Sequence, residues 1–272
     1  MNIKLITIDL DGTLLNDDQT ISARNRKALM DAEDAGVMVT IASGRTTPSV
    51  RAVAKAAGIR HSPFISNNGP RVQAADGTLI AEKCLAPELS REVVTRWNDL
   101  GLYFALYNDD AMFHSFRDPT KPYMYAWDSL WGFSMRHEFG MKQVLEEGIF
   151  HTHKIVCFED DPAKLEQCRR ALDGIPSIET NASGANNCEV MSEGVDKGWG
   201  VRQLAAFYGI DREEIMAFGD NSNDRSMLQA AGWSVAMQNG TDDLKRIARI
   251  IAPDCNDSGV GRIIEKYVLG RD

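Results

Sequence analysis

KLITIDLDGTLL, residues 4–15, opens as a strand and closes on two carboxylates. Leu5, Ile6 and Ile8 are apolar, and the β-branched Ile6, Thr7 and Ile8 favour extended backbone. A short apolar run with no polar face is the pattern of a strand covered on both sides. Asp9 and Asp11 follow, one residue apart, and Gly12-Thr13 then turn the chain. Two carboxylates about 4 Å apart repel by roughly 4 kcal/mol at an effective dielectric near 20. Such a pair persists if one acid is protonated or a cation sits between them.

Working outward, strand and helix alternate. SARNRKALMDAEDAG reads as a helix with Ser22 as N-cap and Gly36 at its end, and VMVTIAS as a second strand. TPSVRAVAKAAG reads as a helix with Thr47 as N-cap, Pro48 at N1 and Gly58 at its end, before the short strand PFISNNG. RVQAADGTLIAEK predicts a hairpin turning at Asp76-Gly77. Near the C-terminus the alternation resumes. KGWGVRQLAAFYG places Val201, Leu204, Ala205 and Tyr208 on one helical face. Strand EIMAFGD, helix NDRSMLQAAG, strand WSVAM, helix TDDLKRIARI and a helix at GVGRIIEKYVLG complete it. Alternation of this kind predicts an α/β fold: a Rossmann-like parallel sheet with helices on both faces.

The middle reads differently. Strands surround an Asn-Asp-Asp turn in LYFALYNDDAMFHSF; IFHTHKIVCF, SIETNAS and NCEVMS add more, with one helix, DPAKLEQCRRALDG, capped by Asp161 and Pro162. Neighbouring strands predict an antiparallel α+β unit. The expected division is a catalytic core of residues 1–83 and 192–272 with an inserted α+β domain at 84–191.

The 272 residues suffice for two modest domains and a proper core. Hydrophobic content of 43% and charged content of 25% are those of a globular protein. A net charge of −9 argues against a nucleic-acid or anionic-membrane partner, but leaves room for a small phosphorylated substrate. Lys4 and Asp9 interrupt any signal-peptide core, and no apolar run reaches a membrane span. Five widely spaced cysteines without a C-x-x-C pair read as reduced thiols, so the expected location is the cytoplasm. Oligomeric partners are not readable.

Ligands of open parallel sheets bind outside the carboxyl ends of the strands. There stand Asp9 and Asp11, then Ser43-Gly44-Arg45, then Asn67-Asn68-Gly69, then Gly219-Asp220 with Asn221, Ser222, Asn223 and Asp224. Oxygen donors without histidine or thiol favour a hard ion, Mg2+ by default. Asn223 and Asp224 serve equally well as caps of the helix that follows. Lys197 opens a helix, where the dipole disfavours positive charge; a bound phosphate would offset that. Ser43 and Gly44 offer a hydroxyl and backbone N–H groups to an anion, while Arg45 reads equally as a surface residue.

Four of these segments, DLDGT at 9–13, ASGR at 42–45, DKGWG at 196–200 and GDNSND at 219–224, resemble the motifs of the haloacid dehalogenase-like hydrolases. Their order, with a large insert between the second and third, is similar to the Cof-type sugar phosphatases. SNNGP at 66–70, VAMQNG at 235–240 and the GVGRIIEKY tail add to the likeness, which spans the chain. Asn67 departs from the acid or tyrosine common there, and Gly240 from alanine. The resemblance implies that Asp9 is a nucleophile forming an aspartyl-phosphate and Asp11 the acid/base. Mg2+ would be held by Asp9, the Asp11 backbone carbonyl and Asp220, with Asn221 nearby. Ser43, Lys197, Asn223 and the backbone at Leu10 and Gly44 would bind the phosphoryl group, supported by Asp224 and Asn68. The implied substrate is a small phosphorylated metabolite, a sugar phosphate first. A phosphomutase or phosphotransferase uses the same chemistry, and a phospho-accepting signalling module shares the acidic pocket and lysine.

Two further groups stand apart. His151 and His153 alternate as a two-ligand metal pair would, but read more simply as solvated on a half-exposed strand. Lys154 is open to a structural or pocket role. The aromatic run Tyr123–Phe133 reads as core filling rather than as a sugar pocket or dimer surface.

Overall fold

The computed structural model describes residues 2–108, 111–116, 118, 120, 136–139 and 151–271. The chain forms two compact units: Met1–Arg45, Val50–Glu82 and Asp196–Asp272 make the first, and Thr46–Ser49 with Lys83–Val195 the second.

The first unit is built on strands β1 (Leu5–Ile8), β2 (Met38–Ala42), β3 (Phe64–Ser66), β4 (Arg71–Gln73), β5 (Leu79–Glu82), β12 (Ile215–Gly219), β13 (Trp233–Met237) and β14 (Ile250–Ala252). They form one sheet in the order β14-β13-β12-β1-β2-β3-β4-β5. β1 is central and parallel to both neighbours, with Leu5 opposite Ile215 on one side and Met38 on the other. Leu5, Ile6 and Ile8 are fully buried, each contributing roughly 1.5–3 kcal/mol. β4 and β5 pair antiparallel as the hairpin at the sheet edge, and Gly77 takes φ +90° in its turn.

The helices follow from their caps. α1 (Ala23–Asp34) starts where Ser22 accepts from Asn25 N, buries Asn25, Ala28, Leu29 and Ala32 on one stripe, and is followed by Gly36 at φ +84°. α2 (Thr47–Ala56) begins at Thr47 itself, so this threonine lies in the first turn rather than outside it as N-cap. α5 (Lys197–Tyr208) is capped by Asp196, which accepts from Trp199 N at 2.6 Å, and ends at Gly209 with φ +64°. α6 (Arg225–Ala230), α7 (Asp242–Ile247) and α8 (Gly259–Tyr267) complete the unit. α7 is shorter than its sequence pattern. Arg249 N donates to Ser234 O, and Ile250–Ala252 leaves the helix to pair with the open edge of β13. The β-branched Ile250 and Ile251 suit this extended pairing.

The second unit holds β6 (Phe104–Tyr107), β7 (Ala111–His114), β8 (Arg136–Phe139), β9 (Lys154–Phe158), β10 (Ile178–Asn181) and β11 (Asn187–Ser192), in the order β10-β11-β9-β6-β7-β8. Most pairs are antiparallel, and β7 with β8 is parallel. One face packs on α3 (Pro87–Asp99) and α4 (Pro162–Arg170), burying Val93, Trp97, Phe104, Ile155 and Leu165. Asp161 caps α4 through Ala163 N. α3, begun by Pro87, is an element the sequence pattern did not single out.

The histidines are not a solvated pair. Both precede β9; His151 is exposed, while His153 is fully buried and its N–H donates to Tyr107 O. Thr152 between them bridges to Leu85, which orders the segment ahead of the strand. Lys154 is buried and pairs with Glu189 at 3.4 Å. The Tyr123–Phe133 run lies outside the described residues. Among the described residues, no helix is long and apolar enough to cross a membrane.

Candidate active site

The site lies in the first unit, where β1, β2, β3 and β12 end. β1 delivers Asp9, buried to 6% exposure. The chain then folds tightly: Leu10 O accepts from Thr13, Leu14 and Leu15 N, and Gly12 takes φ +79°. A Cβ on Gly12 would stand 2.5 Å from Asp220 Oδ2, so only glycine lets the loop approach that carboxylate. Thr13 Oγ1 donates to Asp220 Oδ1 at 2.9 Å, a contact the sequence reading did not assign.

Lys197 is the electrostatic centre. Its ammonium is 99% buried and donates to Asp9 Oδ1 at 2.5 Å and Asp224 Oδ1 at 2.6 Å. Burial alone would push its pKa down, but Asp224 and Asp9 outweigh that and hold it charged, above the ordinary lysine value. Glycines bring this helix start close to its neighbours. A Cβ on Gly69, at φ +125°, would fall 2.1 Å from Asp196 O.

Asp9, Asp220 and Asp224 present carboxylate oxygens within 4.8 Å of one another. Burial, then the charge on Asp224, raises the Asp9 pKa well above the usual range against the opposing pull of Lys197. The same two causes push Asp220 up to about 6. A corner that resists a third negative charge, built only of oxygen donors, fits a hard divalent cation. Asp224 is more than a helix cap: Oδ2 accepts from the N–H groups of Asp220 at 3.0 Å and Asn221 at 3.1 Å, while Oδ1 holds Lys197.

The Asp11 carboxylate is turned away from that cluster. Arg45 grips it in a two-pronged ion pair, Nε to Oδ2 at 3.0 Å and Nη2 to Oδ1 at 2.5 Å, and Nη2 also donates to Gln19 Oε1 at 2.7 Å. Arg45 is therefore a buried partner of Asp11 rather than a surface residue. The two acids of the opening strand are separated by side-chain direction, and Asp224, expected only as a support or helix cap, joins Asp9 and Asp220 in the acidic corner.

From β2, buried Ser43 accepts from Arg45 N with its hydroxyl at 3.2 Å. Asn67 and Asn68 take consecutive positive φ values of 57° and 69°, a conformation asparagine tolerates, so Asn68 N reaches Ser43 O at 2.9 Å. A Cβ on Gly44 would sit 3.1 Å from the Asn68 amide, closer than ordinary van der Waals contact. Asn223 Nδ2 donates to Asn68 Oδ1 at a long 3.4 Å, and its own Oδ1 is buried with no partner among the described residues. Asn221 caps the turn at Ser222–Asp224 by accepting from Ser222 N.

Comparison with known proteins agrees with this architecture. Residues 6–264 match the family model of the haloacid dehalogenase-like hydrolases. The chain is 32% identical to the 5-amino-6-(5-phospho-D-ribitylamino)uracil phosphatase YwtE of Bacillus subtilis, over 99% of both chains. It is 26% identical to the pyridoxal phosphate phosphatase YbhA of Escherichia coli, over 99% of this chain and all of the other. A haloacid dehalogenase-like hydrolase structure from B. subtilis superposes with a TM-score of 0.87 at 26% identity, covering 97% of this chain and 100% of that one. The chain belongs to the haloacid dehalogenase-like hydrolases, Cof-type, as an enzyme of the phosphatase class.

Proposed function

We propose that the protein hydrolyses phosphate monoesters of small hydroxylated metabolites, sugar phosphates foremost, with Mg2+ and through an aspartyl-phosphate. The observation that carries this is the buried Lys197 joined to both Asp9 and Asp224, with Asp220 in the same corner. The substrate class is supported by the phosphoribityl group in the name of the B. subtilis relative's substrate. Five widely spaced cysteines without a C-x-x-C pair support a reducing, cytoplasmic setting.

In this mechanism Asp9 attacks phosphorus, the bond to the leaving alcohol breaks, and the phosphoryl group rests on the Asp9 carboxylate. Asp11 gives a proton to the leaving oxygen and takes one from the water that later attacks the acyl phosphate. To reach that oxygen its carboxyl must leave Arg45, so Arg45 and Gln19 set where Asp11 rests between turnovers. Lys197, the Ser43 hydroxyl, the Asn223 amide and the N–H groups at Leu10 and Gly44 bind the phosphoryl oxygens, which is most of the catalysis in phosphoryl transfer. Asp9, Asp220 and the Asp11 carbonyl would hold Mg2+, with Asn221 nearby and Asn68 supporting the phosphate side. The ion, when bound, neutralises the clustered charge and polarises the phosphoryl oxygens. Asp224 anchors Lys197 and fixes the backbone that presents Asp220.

The test is phosphate release from an aryl phosphate and a panel of sugar phosphates with and without Mg2+. The expected result is metal-dependent release; no release from any of them refutes the reading.

The acidic corner also sets a pH dependence. Asp220, near 6 in the fold, lies above its unfolded value of about 3.9. A carboxyl raised this way favours the protonated fold, so metal-free stability falls as pH rises from about 4 to 6. Protons and the cation compete for the same oxygens. Mg2+ is expected to raise the melting temperature more at pH 7.5 than at pH 5, measured by calorimetry; an equal or reversed shift contradicts the assignment.

A further inference from the structure

Residues 35–75 contain no aspartate or glutamate, yet they contain Arg45, Arg51, Lys55, Arg60 and Arg71 in a chain of net charge −9. Three of these cations have partners in the fold. Arg45 holds Asp11, Arg60 holds Asp34 and Glu33, and Arg71 holds Glu82. Arg51 and Lys55 have no carboxylate within ion-pair distance among the described residues. They stand four apart on α2, on the same helical face, where like charges repel. Lys55 in the last turn gains from the helix dipole, but Arg51, a turn earlier, does not.

Both side chains line a cavity of about 380 Å³. Its rim carries Arg60, and its wall carries Ile59, Ser62 and Phe64. The Arg51 guanidinium is 5.6 Å from the Phe64 ring centroid, which keeps it on that wall. Phe64 begins β3, whereas Asn67 and Asn68 follow its far end. Phe64 stands opposite Ile41 on β2, and none of the candidate active-site residues lines the cavity. Its volume is at the lower end of small-molecule pockets.

We propose that this cavity is a second anion site, which takes the phosphate or phosphonate dianion of a small molecule between Arg51 and Lys55. The apolar wall at Ile59 and Phe64 accepts the carbon skeleton the anion carries. The site uses none of the residues assigned to hydrolysis, so an inactive Asp9 would leave it intact.

The test is isothermal titration calorimetry of the metal-free full chain with two probes, phenylphosphonate and inorganic phosphate. Wild-type protein is compared with the double variant Arg51→Gln/Lys55→Gln. Both residues are exposed, and the variant is expected to melt and turn over as wild type does. Wild type is expected to bind one more equivalent of phenylphosphonate than the double variant, or to bind it at least tenfold more tightly at that equivalent. The additional equivalent with inorganic phosphate alone would assign the site to the free ion and overturn its apolar half. Isotherms that are the same for wild type and the double variant with both probes, or no binding of either probe, would overturn the proposal.

Discussion

Replacing Asp9 by asparagine is expected to lower turnover by three orders of magnitude or more, about the scale on which loss of a nucleophile acts. The amide keeps the shape of the carboxylate but cannot form the acyl phosphate, and it removes one donor from the acidic corner. Lys197 retains Asp224 at 2.6 Å, so its buried charge stays partnered. The fold is therefore expected to survive, with a melting temperature within about 5 °C of wild type, since about 1 kcal/mol moves a chain of this size by only a few degrees. Phosphate-release kinetics and thermal unfolding check the two halves separately. Intact turnover would remove Asp9 from the mechanism. Loss of folding would show that Asp9 is needed to hold Lys197.

The second large effect is on stability. Lys197→Met is expected to destabilise the protein by about 3–5 kcal/mol at neutral pH, the cost of stranding buried charges without their partner. Asp9 and Asp224, both buried, then face each other and Asp220 with no cation between them. Methionine fills the space of the lysine stem, so the loss is electrostatic rather than a cavity. The sign of the pH effect follows from Asp9, whose pKa burial and the charge on Asp224 raise in the fold. Protonating it relieves the repulsion, so the deficit relative to wild type is expected to shrink between pH 7.5 and pH 5. Added Mg2+ is expected to recover part of it at the higher pH. Urea unfolding of both proteins at the two pH values is the measurement; a deficit independent of pH and metal would mean that packing dominates.

Much of this was legible in the sequence because the signals are local. Four β-branched or apolar residues before Asp9 announce a central strand, and Ser22, Asp161, Gly36 and Gly209 mark helix ends by their own chemistry. The Asn67-Asn68-Gly69 run reads as polar residues at the end of β3; its left-handed backbone, which brings Asn68 to Ser43, is seen only in the structure. Other features need distant partners. Nothing near Arg45 says that it will meet Asp11, which is 34 residues away. Asp224 looks like a cap because it stands before a helix; its hold on Lys197 exists only once α5 packs on the Ser222–Asp224 turn and α6. Thr13 is a turn residue until Asp220 arrives beside it. Ile250 closes the predicted helix in sequence, yet it opens the strand Ile250–Ala252, which forms beside β13. The two acids of the opening strand are likewise separated by contacts that a one-dimensional reading cannot reach, Lys197 for one and Arg45 for the other.

The central claim is that phosphorus passes through Asp9. Acid quenching during turnover of a sugar phosphate with Mg2+, followed by mass spectrometry of the N-terminal peptides, tests it directly. The expected result is one phosphoryl group on Asp9 in quenched wild-type protein and none in Asp9→Asn. Rapid phosphate release with Asp9 unmodified and the phosphoryl group on another side chain would contradict the account.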